Sequence, residues 1–167
     1  NAPAGAFLRI GFGDAVKEEL AAKLGQSVEY IEEHKVALRG LMQAYATDYT
    51  RNLINPDYWV SRMVVSLNKK LVPVTQVVVI PDVRFHNELN LIRSLRGVLW
   101  KVERSTDDVF SYSQGERKHT SEMSLNDYKL WDEVILNDGT LDDLKPKVIS
   151  ALKLAREQFN NNLEQGR

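Results

Sequence analysis

Cysteine is absent from the 167 residues, which excludes disulfide bonds, thiolate catalysis and metal sites built on sulfur, and accords with a reducing compartment. Long apolar runs are absent too. None approaches the roughly 18 residues needed to span a bilayer, and no secretory leader is visible, so the expected location is the cytoplasm. Net charge is almost nil: 22 basic against 23 acidic residues leave -1. A nucleic-acid binder needs a basic surplus on some face to neutralise phosphates, so neither nucleic acid nor a membrane is an expected partner. A local basic pocket for one small phosphorylated ligand stays compatible with that balance. Internal repeats and composition shifts are also missing, and with 43% hydrophobic residues the length suits one domain with a real core.

The sequence centres on residues 77–88, VVVIPDVRFHNE. Val77 to Ile80 show no polar alternation, the pattern of a strand buried on both faces of a parallel sheet. Pro81 stops the ladder, and Asp82 and Arg84 come just past the strand's carboxyl end, the edge where open α/β sheets bind ligands. A solvated ion pair is the plainer alternative. Upstream, Phe7 to Gly11 reads as a strand and Ala15 to about Leu24 as a helix ended by Gly25. The intervening Gly11-Phe12-Gly13-Asp14 lacks the spacing of GxxxxGK[ST] and reads as a turn whose Asp14 caps that helix, with Lys17 one turn along.

Ser27 to Ile31 suggests a short helix, and Val36 to Arg51 a longer one with Leu38, Leu41, Met42 and Tyr45 as its apolar stripe. Arg39, Gln43, Thr47 and Arg51 step by four beside that stripe. Arg offers a fork suited to phosphate and Gln an amide suited to a base edge, whereas the plain alternative is a polar surface with an Asp48–Arg51 pair. Tyr58 to Leu71 reads as a helix with Trp59, Met63 and Leu67 toward the core. Asn87 to Arg96, closed by Gly97, and the strand Val98 to Val102 complete a strand–helix–strand unit of the kind that forms a parallel crossover. Residues 103–120 break into a polar insertion holding Arg104, Arg117, Lys118 and His119. Beyond it Thr120 or Ser121 could cap a polar helix or turn. Glu133 to Leu136 is a last strand, Asn137 to Thr140 a turn, and Leu141 to about Asn160 a terminal helix.

Five phrases in this order resemble the deoxynucleoside monophosphate kinase family of bacteriophages and some bacteria, a branch of the P-loop nucleoside monophosphate kinases. The family's F-x-D-x-x-K is matched by Phe12, Asp14 and Lys17. Its R-x-L-x-Q-x-x-G-T-D/E-x-x-R is matched by Arg39, Leu41, Gln43, Thr47, Asp48 and Arg51, with Tyr58-Trp59-Val60 after them. Asp82, Arg84, Phe85, Asn87 and Glu88 match D-x-R-F-x-N-E. His119, Ser121 and Glu122 match H-x-S-E, and Asn137-Asp138-Gly139 matches N-D-G. The family's glycine before Thr47 is Ala46 here, so a left-handed turn there is not expected.

The resemblance implies a three-layer α/β/α P-loop kinase-like fold with a central, mostly parallel sheet, acceptor-binding helices at about 36–72 and a lid at 104–120. It implies transfer of a phosphoryl group from ATP to a deoxynucleoside 5′-monophosphate with Mg2+, in the bacterial host's cytoplasm if a bacteriophage encodes the chain. A homodimer is the expected assembly. By the same implication Arg39 and Arg51 face the acceptor phosphate, Arg84 a phosphate nearby, and Gln43, Thr47 and Asp48 the nucleoside. Asp14, Lys17, Trp59, Phe85, Asn87 and Glu88 fall on the acceptor side. Asp82 orders Mg2+ through water or holds the acceptor, and Arg104 and Arg117 close on the transferring group. His119, Ser121 and Glu122 anchor the lid or touch the acceptor base, and Asn137, Asp138 and Gly139 pass beneath the adenine. The phosphate loop itself is not among these residues and is expected ahead of Asn1. A degenerate, non-catalytic relative and a kinase of another small acceptor are the alternatives.

Overall fold

The computed structural model describes residues 7–71, 77–104 and 119–164, with the backbone alone for Glu122 and 161–164. Two compact units emerge, residues 1–91 with 118–125, and residues 92–117 with 126–167. No helix among the described residues is long and apolar enough to cross a membrane.

In the first unit, strand β1 (Phe7–Arg9) leads through Ile10 and Gly11 into helix α1 (Phe12–Leu24). This helix starts three residues earlier than its apolar spacing suggests. Gly25 closes it at φ 63°, where the missing Cβ makes the left-handed conformation cheap. Helix α2 (Val28–Glu33) is capped by Ser27, whose side chain accepts the Tyr30 N–H. The single helix expected over Val36 to Arg51 is instead a short α3 (Arg39–Gln43) running into a π-helix (Ala44–Ile54). One cause is visible: the Trp59 indole N–H donates to the Ala46 carbonyl at 2.8 Å, so a side chain competes for an oxygen of the helical ladder. The wider π turns break the step-by-four ribbon. Arg39 stays exposed and Gln43 half-buried, while Thr47 and Arg51 turn inward and Leu41 is left exposed. Ala46 has no positive φ, as its side chain implied.

Helix α4 (Tyr58–Lys70) comes next and lays Trp59, Met63 and Leu67 against Ile10, Phe12, Ala15 and Val16. Strand β2 (Val77–Val79) pairs in parallel with β1, Phe7 opposite Val77 through Arg9 opposite Val79. Its expected burial on both faces does not hold, since Val79 is 46% exposed. Among the described residues β2 bonds to β1 along one edge, and Val77 and Val78 are only half-buried.

Helix α5 (His86–Ser94) begins in the first unit and ends in the second. The left-handed residue after it is Arg96, at φ 58°. Gly97 is needed for a different reason: a Cβ there would lie 2.6 Å from Ile92 Cγ2. In the second unit β3 (Trp100–Arg104) pairs in parallel with β4 (Glu133–Asn137), Trp100 opposite Glu133 through Arg104 opposite Asn137. Each strand flanking α5 thus pairs with one distant in sequence, β2 with β1 and β3 with β4. Helix α7 (Leu141–Glu164) packs on β4, burying Ile135 and Ala151. Mixed helices and small parallel sheets place the chain in the α/β class.

Candidate functional site

The carboxyl end of β2 is built around two acidic groups that serve the backbone. Asp82 Oδ1 accepts the Phe12 N–H at 2.9 Å, and its Oδ2 accepts the Gly13 N–H at 2.8 Å. These are orphan amides of α1's first turn, so the carboxylate closes the helix start where the macrodipole favours an anion. Glycine at 11 and 13 permits the approach: a Cβ on Gly11 would meet Asp82 Oδ2 at 2.7 Å. Asp14 is not the residue before the helix but the third inside it. Its Oδ2 accepts the Gly11 N–H at 2.8 Å, and Arg9 pairs with it at 3.1 Å. Burial pushes the Asp14 carboxyl up, yet the Gly11 amide and Arg9 outweigh it and hold the group below its ordinary value.

The described residues contain no group of three or more His, Asp or Glu suited to a metal ion. Each Asp82 oxygen accepts one amide and keeps one further lone pair, which suits a single carboxylate that meets Mg2+ through water rather than a cage of protein ligands.

Lys17 is committed as well, 2.6 Å from Glu32, which also meets Lys35 at 2.6 Å. Hydrogen bonds from the two lysines drop the Glu32 carboxyl to about 2. Trp59, 2% exposed, is core, with Tyr45 and Tyr58 edge-on against it.

Arg51, Phe85, Asn87 and Glu88 come together, but as a frame rather than an open surface. Arg51 pairs with Glu88 at 2.6 Å, the two side chains 8% and 3% exposed. The Arg51 guanidinium also donates to the Pro56 carbonyl and to Asn87 Oδ1, both at 3.0 Å, and lies 3.8 Å over the Phe85 ring. Asn87 Nδ2 donates to the Pro56 carbonyl and Asp57 Oδ1, both at 2.8 Å. Glu88 Oε2 accepts the N–H groups of Arg84 and Phe85 at 2.7 and 3.2 Å, which fixes the turn into α5. Burial pushes the Glu88 carboxyl up, and the Arg84 amide, Arg51 and the Phe85 amide pull it back. A buried guanidinium cannot shed its proton, so it needs this anion.

Held by that frame, Arg84 extends outward. It is exposed, and its guanidinium makes no ion pair or hydrogen bond with a described residue. Nearby, helix α6 (Thr120–Met123) is capped by neither Thr120 nor Ser121 but by His119. His119 Nδ1 receives the Ser121 N–H at 3.2 Å and contacts Ser121 Oγ at 2.8 Å. The other ring nitrogen, Nε2, lies 3.5 Å from Asp48 Oδ1. Asp48 itself is exposed, whereas Thr47 beside it is buried.

Glu19 carries no motif and escaped the sequence. It accepts the hydroxyls of Tyr45 at 2.8 Å and Tyr58 at 2.9 Å, with Arg62 3.0 Å away. Burial, then the Glu19 contact, pushes the Tyr45 phenol up to about 12. The available signal was a glutamate one helical turn after Ala15 and Val16 on a buried face.

In the second unit, Arg104 ends β3, exposed. Asp138 pairs with Lys147 at 2.6 Å, and the close approach of Asp143 to Gly139 leaves no room for a Cβ there. Asn137 to Gly139 thereby form the entry to α7. Arg117 and the Glu122 side chain lie outside the described residues, as do positions 105–118 of the lid expected at 104–120.

The family model for deoxynucleotide monophosphate kinase matches residues 12–148. The chain is 29% identical over 117 residues to the deoxynucleotide monophosphate kinase of Escherichia phage RB69, covering 70% of this chain and 45% of that protein. To the enzyme of the same name from Enterobacteria phage T4 it is 28% identical over 122 residues, covering 73% and 48%. A protein of Acanthamoeba polyphaga mimivirus named for the same activity is 35% identical over 83 residues, 48% of this chain and 38% of its own length. The chain spans less than half the length of the curated relatives it matches.

Proposed function

This chain belongs to the deoxynucleotide monophosphate kinase family, and from that premise we propose that it transfers the γ-phosphoryl of ATP to a deoxynucleoside 5′-monophosphate. The first unit carries the acceptor side. Phosphoryl transfer is largely a matter of positioning and charge neutralisation, so the chain must supply fixed cations and an orienting surface. The exposed Arg84, on a turn fixed by Glu88, is the observation that carries this reading. Its guanidinium meets the acceptor 5′-phosphate, together with the exposed Arg39. Gln43 and Asp48 orient the nucleoside, with His119 Nε2 behind Asp48. Arg51, Asn87 and Glu88 act one step back, as the frame behind Arg84. Arg104 at the end of β3 belongs to the side where the phosphoryl group moves. Mg2+, when bound, neutralises phosphate charge, in a three-layer P-loop kinase-like fold.

The test is a coupled assay of the gene product with ATP and dGMP, dTMP or dCMP. Arg84→Ala should lower kcat/KM for the acceptor about a hundredfold, on the order of 3 kcal/mol for one charged phosphate contact. Absence of phosphoryl transfer to every acceptor would sink the kinase reading, and unchanged kinetics in the variant would remove Arg84 from the site.

A further inference from the structure

We infer that Ser124 is a positioning residue for Arg84, and that through it the segment 119–124 sets the separation between the nucleoside side and the phosphate side of the acceptor site. This rests on the assignment of Arg84 to the acceptor phosphate. The Ser124 hydroxyl donates to the Arg84 carbonyl oxygen. On the other side of the same Cα, the Arg84 N–H donates to Glu88 Oε2 at 2.7 Å. Two bonds that bracket one Cα restrain both of its soft dihedrals, and with them the direction in which Cβ leaves the backbone. With no side-chain anchor among the described residues, Arg84 has its starting direction set by this restraint.

Ser124 is itself anchored. Its N–H donates to the Thr120 carbonyl at 3.0 Å, closing α6. The other end of α6 is held by His119, whose Nε2 faces Asp48 on the π-helix. A continuous chain of contacts thus runs from Asp48 through His119 and one helical turn to Ser124 and the Arg84 peptide. Glu88 Oε2 reaches the same Arg84–Phe85 peptide through the Phe85 N–H at 3.2 Å, so Ser124 supplies a second, independent restraint on the carbonyl side of that peptide.

The experiment is a double-mutant cycle on the gene product with Ser124→Val, Ser124→Thr and Arg84→Ala. Valine and threonine have the same shape, so they differ in the hydroxyl alone. Ser124→Val should raise the acceptor KM about five- to tenfold, with kcat and the ATP KM within about twofold, as expected when a ground-state contact is misaimed. Ser124→Thr should restore the acceptor KM, and Ser124→Val should add nothing in the Arg84→Ala background. Calorimetric binding of the acceptor nucleotide alone should show the same pattern. An unchanged acceptor KM in Ser124→Val, or an equal loss with Arg84 already removed, would overturn the inference while leaving Arg84 in place. An acceptor KM that ignores Arg84→Ala would instead overturn the assignment on which it rests.

Discussion

Arg51 and Arg84 are the same side chain in the same neighbourhood with opposite roles, and burial separates them. Arg51 has its charge matched by Glu88 at 2.6 Å inside the unit; Arg84 lies exposed and offers its charge outward. Removing one partner of a buried pair strands the other, so Glu88→Gln should destabilise the fold by about 3–5 kcal/mol. Chemical denaturation checks this, and a loss near zero would mean that Arg51 reaches water. Arg84→Ala should leave stability within about 0.5 kcal/mol, as surface changes usually do, and act on the acceptor alone. Both arginines fit the family phrase, and residue type could not divide them. The partner of Arg51 comes from α5, far along the chain, and only folding brings it there.

Helix α1 is held at its start by a residue about seventy positions away. Asp82 bridges two first-turn amides, and Gly11 and Gly13 leave room for it. Asp82→Ala should therefore lower stability by about 1–2 kcal/mol through loss of a charged helix cap, seen as a reduced unfolding midpoint in the absence of nucleotide. An unchanged midpoint would return Asp82 to a purely chemical role. The π-helix is the other element the spacing did not reveal. A regular 3.6-residue period over residues 36–51 predicts an outward polar ribbon; the wider turns send Thr47 and Arg51 inward and leave Asp48 facing out. Glu19 holds this element in place through Tyr45, so Glu19→Gln should release the phenol from about 12 toward its ordinary value of 10.0, measurable by ultraviolet titration.

At the scale of the molecule, each unit builds a small parallel sheet from strands separated by helices, and surface charge ties α1 to α2. Glu32 is held at about 2, against an ordinary 4.5, by Lys17 and Lys35. Its folded value is depressed, so the stability it contributes is complete above about 4.5 and is lost as pH falls toward 2. Lys17→Met should raise the Glu32 value in a carboxyl NMR titration and flatten the acid limb of the stability curve. A titration unmoved by that change would mean that the pair does not persist in solution. The sequence by itself determined the α/β class, most helix positions and the phrases that mark the family, because apolar periods and local turn residues act over a few neighbours. The tertiary structure alone decided which charged residues in those phrases face outward. A carboxylate or guanidinium is free to meet a ligand only when no distant partner neutralises it, and Glu88, Asp82, Glu19 and Ser124 find their partners across the fold rather than along the chain.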